Sequence, residues 1–169
     1  AALGFGSGIV LARTLTPGDF GVFAIAGFVV SFASLLADLG LHAALVQRAT
    51  SPGERDIQTA FTLHQCAVAT MLVILWTGAG WLPAIYGDAP ADLVGLVRLM
   101  SLEILFMSWC RPSEALLERA LRYERLVPID VTVTSVYAVV AVLLALSGAG
   151  VWSFGIAFVS ATAMRFTLV

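Results

Sequence analysis

From Ile57 to Gly87, and again from Val131 to Met164, the chain carries no charged side chain at all. A membrane-crossing helix needs about 20 mostly apolar residues. The first run therefore accommodates one crossing. The second accommodates two once it is divided at Ser147-Gly148-Ala149-Gly150, a short turn between antiparallel helices. Phe20 to Ala37 is also uncharged, and apolar character resumes from Leu39 to Val46 beyond Asp38. Composition agrees: 60% of residues are hydrophobic and 12% charged, against roughly 25% charged in a soluble domain. A globule of this size could not hide so much apolar surface from water, so the solvent for most of the chain is lipid.

The stretch from Leu93 to Leu117 holds Arg98, Glu103, Arg111 and Glu114, and hydropathy alone leaves it ambiguous. Topology decides it. Arg48 and Arg55 lie in one connection, and Arg111, Arg119, Arg122 and Arg125 cluster near another, whereas Gly87 to Asp92 carries only Asp88 and Asp92. Cytoplasmic loops collect arginine, so the two basic connections belong on one side and the acidic one opposite. That requires a crossing between Asp92 and Arg111. With Arg165, this arrangement leaves only Arg13 outside and Arg98 within the membrane or near its outer edge.

The expected fold is all-α: a polytopic transmembrane bundle of about six helices, over residues 1–13, 20–46, 58–86, 93–117, 128–147 and 150–169, forming a single incomplete domain. The chain starts Ala1-Ala2-Leu3 and stops within an apolar run at Val169, so it is expected to be a piece of a longer protein. A net charge of −2 argues against nucleic acid as a partner. Cys66 and Cys110 form no CxxC pair and read as buried small hydrophobes. All nine basic residues are arginine, a bias for which there is no physical account.

Five stretches, in order, carry a resemblance: Leu11–Gly21, Asp38–Arg48, Leu96-Val-Arg-Leu-Met100, Leu116–Arg125 and Gly148-Ala-Gly-Val-Trp152. Their order and spacing resemble the polysaccharide-biosynthesis flippases of the multidrug/oligosaccharidyl-lipid/polysaccharide exporter superfamily. His42 stands where that family more usually has a small residue. The resemblance implies two six-helix bundles related by a pseudo-two-fold, this chain being most of the first. It further implies a bacterial inner-membrane location, no cofactor, no metal and no enzymatic activity. The implied cargo is a polyprenyl-pyrophosphate-linked glycan, exported by alternating access.

Ionisable groups at membrane depth are costly and so are candidates for function. On an ideal helix Asp92, Glu103 and Glu114 fall within about 40° of one another, with Arg111 about 60° from Glu114. This is a polar stripe expected to face the cavity between bundles. Arg98 lies about 140° round from Glu103, and Pro112 could re-aim the inner end. Two readings stand side by side. Asp92 and Glu114 are interfacial and Arg98 snorkels outward, or Arg98, Glu103 and Arg111 form a substrate-binding set. In the second reading a guanidinium forks onto the pyrophosphate and Glu103 is a proton or cation site or neutralises arginine in the empty state.

Asp38 and His42, four residues apart, can meet on one helix face and are candidates for coupling. The alternative is a local helix break near the interface. His64 and Gln65 read as interhelical hydrogen-bonding groups, and Gly4 and Gly8 as a close-packing site. The basic stretch Arg119 to Arg125 reads as a topology anchor touching anionic lipid, or as a hold on the incoming headgroup. Trp81 and Trp152 fit an aromatic belt.

Three rival functions remain at this stage. They are a multidrug or cation antiporter of the same superfamily, a membrane-embedded glycan-synthesis enzyme, and a purely structural bundle.

Overall fold

A computed structural model of the 169-residue chain describes residues 2–38, 53–86, 90, 92–119 and 123–168. Helices dominate the described residues, and no strand occurs among them. They are α1 (Ala2–Thr14), α2 (Pro17–Asp38), α3 (Glu54–Gly78), α4 (Asp92–Arg119), α5 (Tyr123–Leu146) and α6 (Trp152–Leu168). A 3-10 turn, Ala79–Trp81, and a short helix, Leu82–Tyr86, prolong α3. Among the described residues, four stretches are long and apolar enough to cross a membrane: Pro17–Asp38, Gln58–Ala84, Asp92–Glu114 and Glu124–Leu146.

Local chemistry fixes the helix ends. α2 opens with Thr16-Pro17-Gly18-Asp19, a reciprocal cap in which the Thr16 amide donates to Asp19 Oδ2 (2.9 Å) and the Asp19 amide donates to Thr16 Oγ1 (3.2 Å). Pro17 suits the first helical position because its missing N–H would have no partner there. α5 ends in a Schellman turn: the Gly148 amide donates to the Ala145 carbonyl and the Ala149 amide to the Leu144 carbonyl, both at 3.1 Å. Gly148 adopts φ +82°, and Gly150 φ +56° completes the reversal into α6. These left-handed values favour glycine.

α4 lies at the centre. It packs against α2, α3 and α6, while α5 packs on α6 and α1 on α5. Of its apolar window 44% is buried, against 17% for the windows in α3 and α5. Leu93, Leu96, Val97, Met100 and Ile104 of α4 join Val22, Ala26, Val30 and Ala33 of α2 and Val68 and Leu75 of α3 in the main core. Close approach of α4 and α6 depends on Gly95 and Gly155. A Cβ on Gly155 would come within 2.5 Å of Leu96 Cδ1, and one on Gly95 within 2.7 Å of the Trp152 ring.

Large apolar side chains also cover much of the outer surface. Phe28, Leu35 and Trp81 are 67%, 71% and 75% exposed, which is tolerable only where the surrounding solvent is hydrocarbon. Many threonine hydroxyls, such as those of Thr59, Thr62 and Thr70, donate to the carbonyl one turn back, so they add no unpaired polar group to the surface.

Two sequence expectations are corrected here. Cys110 is buried but Cys66 is exposed, because α3 turns that face outward. Gly4 and Gly8 meet nothing within 4 Å, so among the described residues no helix uses them for close packing.

Candidate functional site

α4 carries more ionisable groups than any other described helix, and its neighbours sort several of them into three places. At one end Arg98 Nη2 donates to the backbone carbonyl of Trp76 at 3.0 Å. That carbonyl lies where α3 tightens into its 3-10 turn, and a cation at a helix C-terminus is favoured by the helix dipole. Trp76 in turn donates its indole N–H to Ser101 Oγ at 3.1 Å. Arg98 is thus occupied in joining α3 to α4. It lies thirteen residues, about 20 Å along the helix, from Arg111, so the structure does not bring these two candidates together.

Asp92 and Glu114 share one face of α4, as their spacing requires, and that face meets α6. Asp92 accepts the indole N–H of Trp152 at 3.2 Å. Glu114 accepts from Arg165 Nη1 at 2.6 Å, and the other terminal nitrogen of Arg165 pairs with Asp130 of α5. The second half of this clamp, Asp130, went unnoticed in the sequence. It lies where the charged first turn of α5, with Glu124 and Arg125, gives way to a long apolar run, and it could have been found as a carboxylate at the membrane edge.

The third place is where α2, α3 and α4 meet. Arg111 Nη1 stands 3.7 Å from Asp38 Oδ2, with the two side chains 30% and 26% exposed. His64 is buried from α3, hydrogen-bonded to the backbone of Ala37 and within electrostatic reach of Asp38 and Arg111. Beside it, the Gln65 side-chain amide and Ser108 Oγ meet at 3.2 Å, while the Ser108 hydroxyl donates its single proton to the Leu105 carbonyl at 2.7 Å. Ser108 is one turn before Arg111, so both project from the same side of α4. Pro112 has no N–H to offer the Ser108 carbonyl, which loosens the helix beside this cluster.

Asp38 is therefore joined to Arg111, across two helices. His42, its expected partner, lies outside the described residues. Glu103 is partly buried between the two ends of α4, within electrostatic reach of Arg111, and has no hydrogen-bond or ion-pair partner among the described residues.

Apolar helices joined through interhelical ion pairs, with a partly open polar junction among them, define a multi-pass membrane protein. Residues 10–169 match the family model described as polysaccharide biosynthesis protein, and the chain belongs to that family. It is 33% identical over 150 residues to the succinoglycan biosynthesis transport protein ExoT of Rhizobium meliloti (strain 1021), a match covering 85% of this chain. The chain spans only 28% of that relative's length. No solved structure matches it.

Proposed function

We propose that this chain is part of a transporter that moves polyprenyl-pyrophosphate-linked oligosaccharide or polysaccharide repeat units across the bacterial inner membrane. Movement runs from the cytoplasmic to the periplasmic leaflet by alternating access, and the protein performs no covalent chemistry. Family membership and a relative named as a transport protein support the class. The distribution of arginine supports placing the α2–α3–α4 junction towards the cytoplasm.

The observation that carries the reading is the state of Arg111. Arg165 is held by two carboxylates. Among the described residues Arg111 pairs with one, Asp38, at 3.7 Å, on a partly open face. A guanidinium held so loosely keeps most of its five donors for an incoming phosphate, to which it is suited by its planar fork. Asp38 neutralises it in the empty state and is freed when the phosphate takes its place, which gives Asp38 a role in coupling.

The test uses the full-length protein in a host lacking its own exporter. Arg111→Gln is expected to reduce surface glycan at least tenfold at equal protein level, with lipid-linked repeat units accumulating inside. Full export by this variant sinks the proposal. Raised resistance to cationic drugs in place of glycan export would favour the antiporter reading.

A further inference from the structure

Between α3 and α4 runs a groove of about 330 Å³ lined by Leu72, Val73, Trp76, Thr77 and Leu102, at the lower end of the roughly 300–1,000 Å³ of small-ligand sites. It opens on the outside of the bundle, where Val73 is 63% and Trp76 49% exposed. Its polar groups are already spent on the protein. The Thr77 hydroxyl donates to the Val73 carbonyl at 2.7 Å, and the Trp76 indole N–H donates to Ser101 Oγ. Ser101 in turn donates to the Arg98 carbonyl at 2.7 Å. What remains along the groove is apolar surface, which hydrocarbon fills without leaving a polar group unpaired.

One end of the groove is different. Arg98 stands one turn before Leu102 on the same face of α4, and its guanidinium holds the carbonyl of the groove residue Trp76. That bond uses one of five guanidinium N–H groups. Among the described residues Arg98 has no carboxylate partner. Arg98 lies about 9 Å along α4 from Asp92, and helical side chains lean towards the N-terminus. The guanidinium is therefore directed to the helix end where Asp92 accepts the Trp152 indole N–H. Tryptophans are enriched at the level of lipid headgroups. A cation without a counter-charge is costly near that depth, and anionic headgroups supply the missing charge. Apolar surface along the groove and an unmatched guanidinium at its headgroup end match the two halves of an anionic lipid.

We infer that the groove between α3 and α4 holds an anionic phospholipid of the surrounding bilayer, with part of one acyl chain along Leu72, Val73, Trp76, Thr77 and Leu102 and the phosphate on Arg98. A guanidinium forks onto phosphate oxygens, so Arg98 serves the lipid while keeping its bond to Trp76. Bilayer lipid reaches a groove on the outside of the bundle without entering the protein, which favours a resident phospholipid over cargo in transit. The inference does not depend on what the protein transports.

The experiment places the full-length protein in phosphatidylcholine nanodiscs and adds phosphatidylglycerol brominated on its acyl chains, which quenches nearby indole fluorescence. Subtracting the signal of Trp76→Phe isolates Trp76. Brominated phosphatidylglycerol is expected to half-quench Trp76 at a mole fraction about fivefold below that of brominated phosphatidylcholine, the factor supplied by one favourable charge near a membrane surface. Arg98→Gln should erase that preference and Arg98→Lys should keep most of it. Val73→Phe, which narrows the groove at an exposed position, should lower quenching by both lipids. Lipid retained by the detergent-extracted protein, counted by mass spectrometry, reads the same preference in the wild type and Arg98→Gln without any tryptophan change. Equal quenching and retention of the two lipids in the wild type, or a preference that survives Arg98→Gln, overturns the site. So does displacement of brominated phosphatidylglycerol by polyprenyl pyrophosphate at a lower mole fraction than by unlabelled phosphatidylglycerol, which would make the groove a cargo site.

Discussion

Arg165 on α6 donates to Glu114 on α4 across 2.6 Å and pairs at the same time with Asp130 on α5, tying three helices together through one guanidinium. The two carboxylates are unequal: the Glu114 side chain is 10% exposed and that of Asp130 59%. A buried charge left unpaired is expensive, while an exposed pair contributes about 0–1 kcal/mol. Glu114→Gln is therefore expected to destabilise the bundle by about 1–3 kcal/mol, since Arg165 keeps its second partner. Asp130→Asn should cost under about 1 kcal/mol. Unfolding in mild detergent measures both, and a larger loss for Asp130→Asn would contradict the assignment.

The Asp38–Arg111 pair is longer and more open, so it contributes little to stability and is expected to matter for turnover. Asp38→Asn should lower stability by less than about 1 kcal/mol. The charge swap Asp38→Arg with Arg111→Asp should recover whatever stability either single change loses, yet leave glycan export defective, because the guanidinium has moved to another helix. Restored export in the double variant would make the pair merely structural.

Arg98 is exposed, and its one hydrogen bond among the described residues goes to the Trp76 carbonyl. Arg98→Gln is expected to cost about 0.3–1 kcal/mol and to speed hydrogen exchange near the α3 C-terminus. More than half of export should remain. Complete loss of export at normal protein level would return Arg98 to the substrate-binding set.

Gly155 and Gly95 set the distance between α4 and α6. Gly155→Val should destabilise by about 1–3 kcal/mol through overpacking against Leu96 and Leu99. Gly148→Val is expected to weaken the α5–α6 turn for a different reason, the positive φ at that position. In the Gly155 variant, a partial rescue by Leu96→Ala would identify the clash as the cause. No rescue would point elsewhere.

Helical crossings were legible in the sequence because lipid allows few alternatives. With no water to satisfy backbone groups, a long apolar segment must close its hydrogen bonds internally. The Val131–Met164 run was divided at the turn where Gly148 and Gly150 take positive φ. The start of α2 was readable too, in Thr16-Pro17-Gly18-Asp19, although the cap shifts it to Pro17 from the expected residue 20. Family resemblance was carried by short motifs spaced along the chain, and the matching family model covers residues 10–169.

Helical periodicity also determined that Asp92 and Glu114 share a face, since that follows from the geometry of a single helix. It could not say what the face meets. The expected cavity is instead α6, through Trp152 and Arg165. Nor could it pair Asp38 with Arg111, or set Gln65 against Ser108. Those relations depend on how each helix is rotated and which neighbours it packs against, and such packing is decided by glycines, small residues and side-chain shape spread over several helices. The sequence by itself determined an all-helical membrane bundle and the charges it must accommodate. Tertiary packing decided how those charges pair, closely at Arg165 and loosely at Arg111.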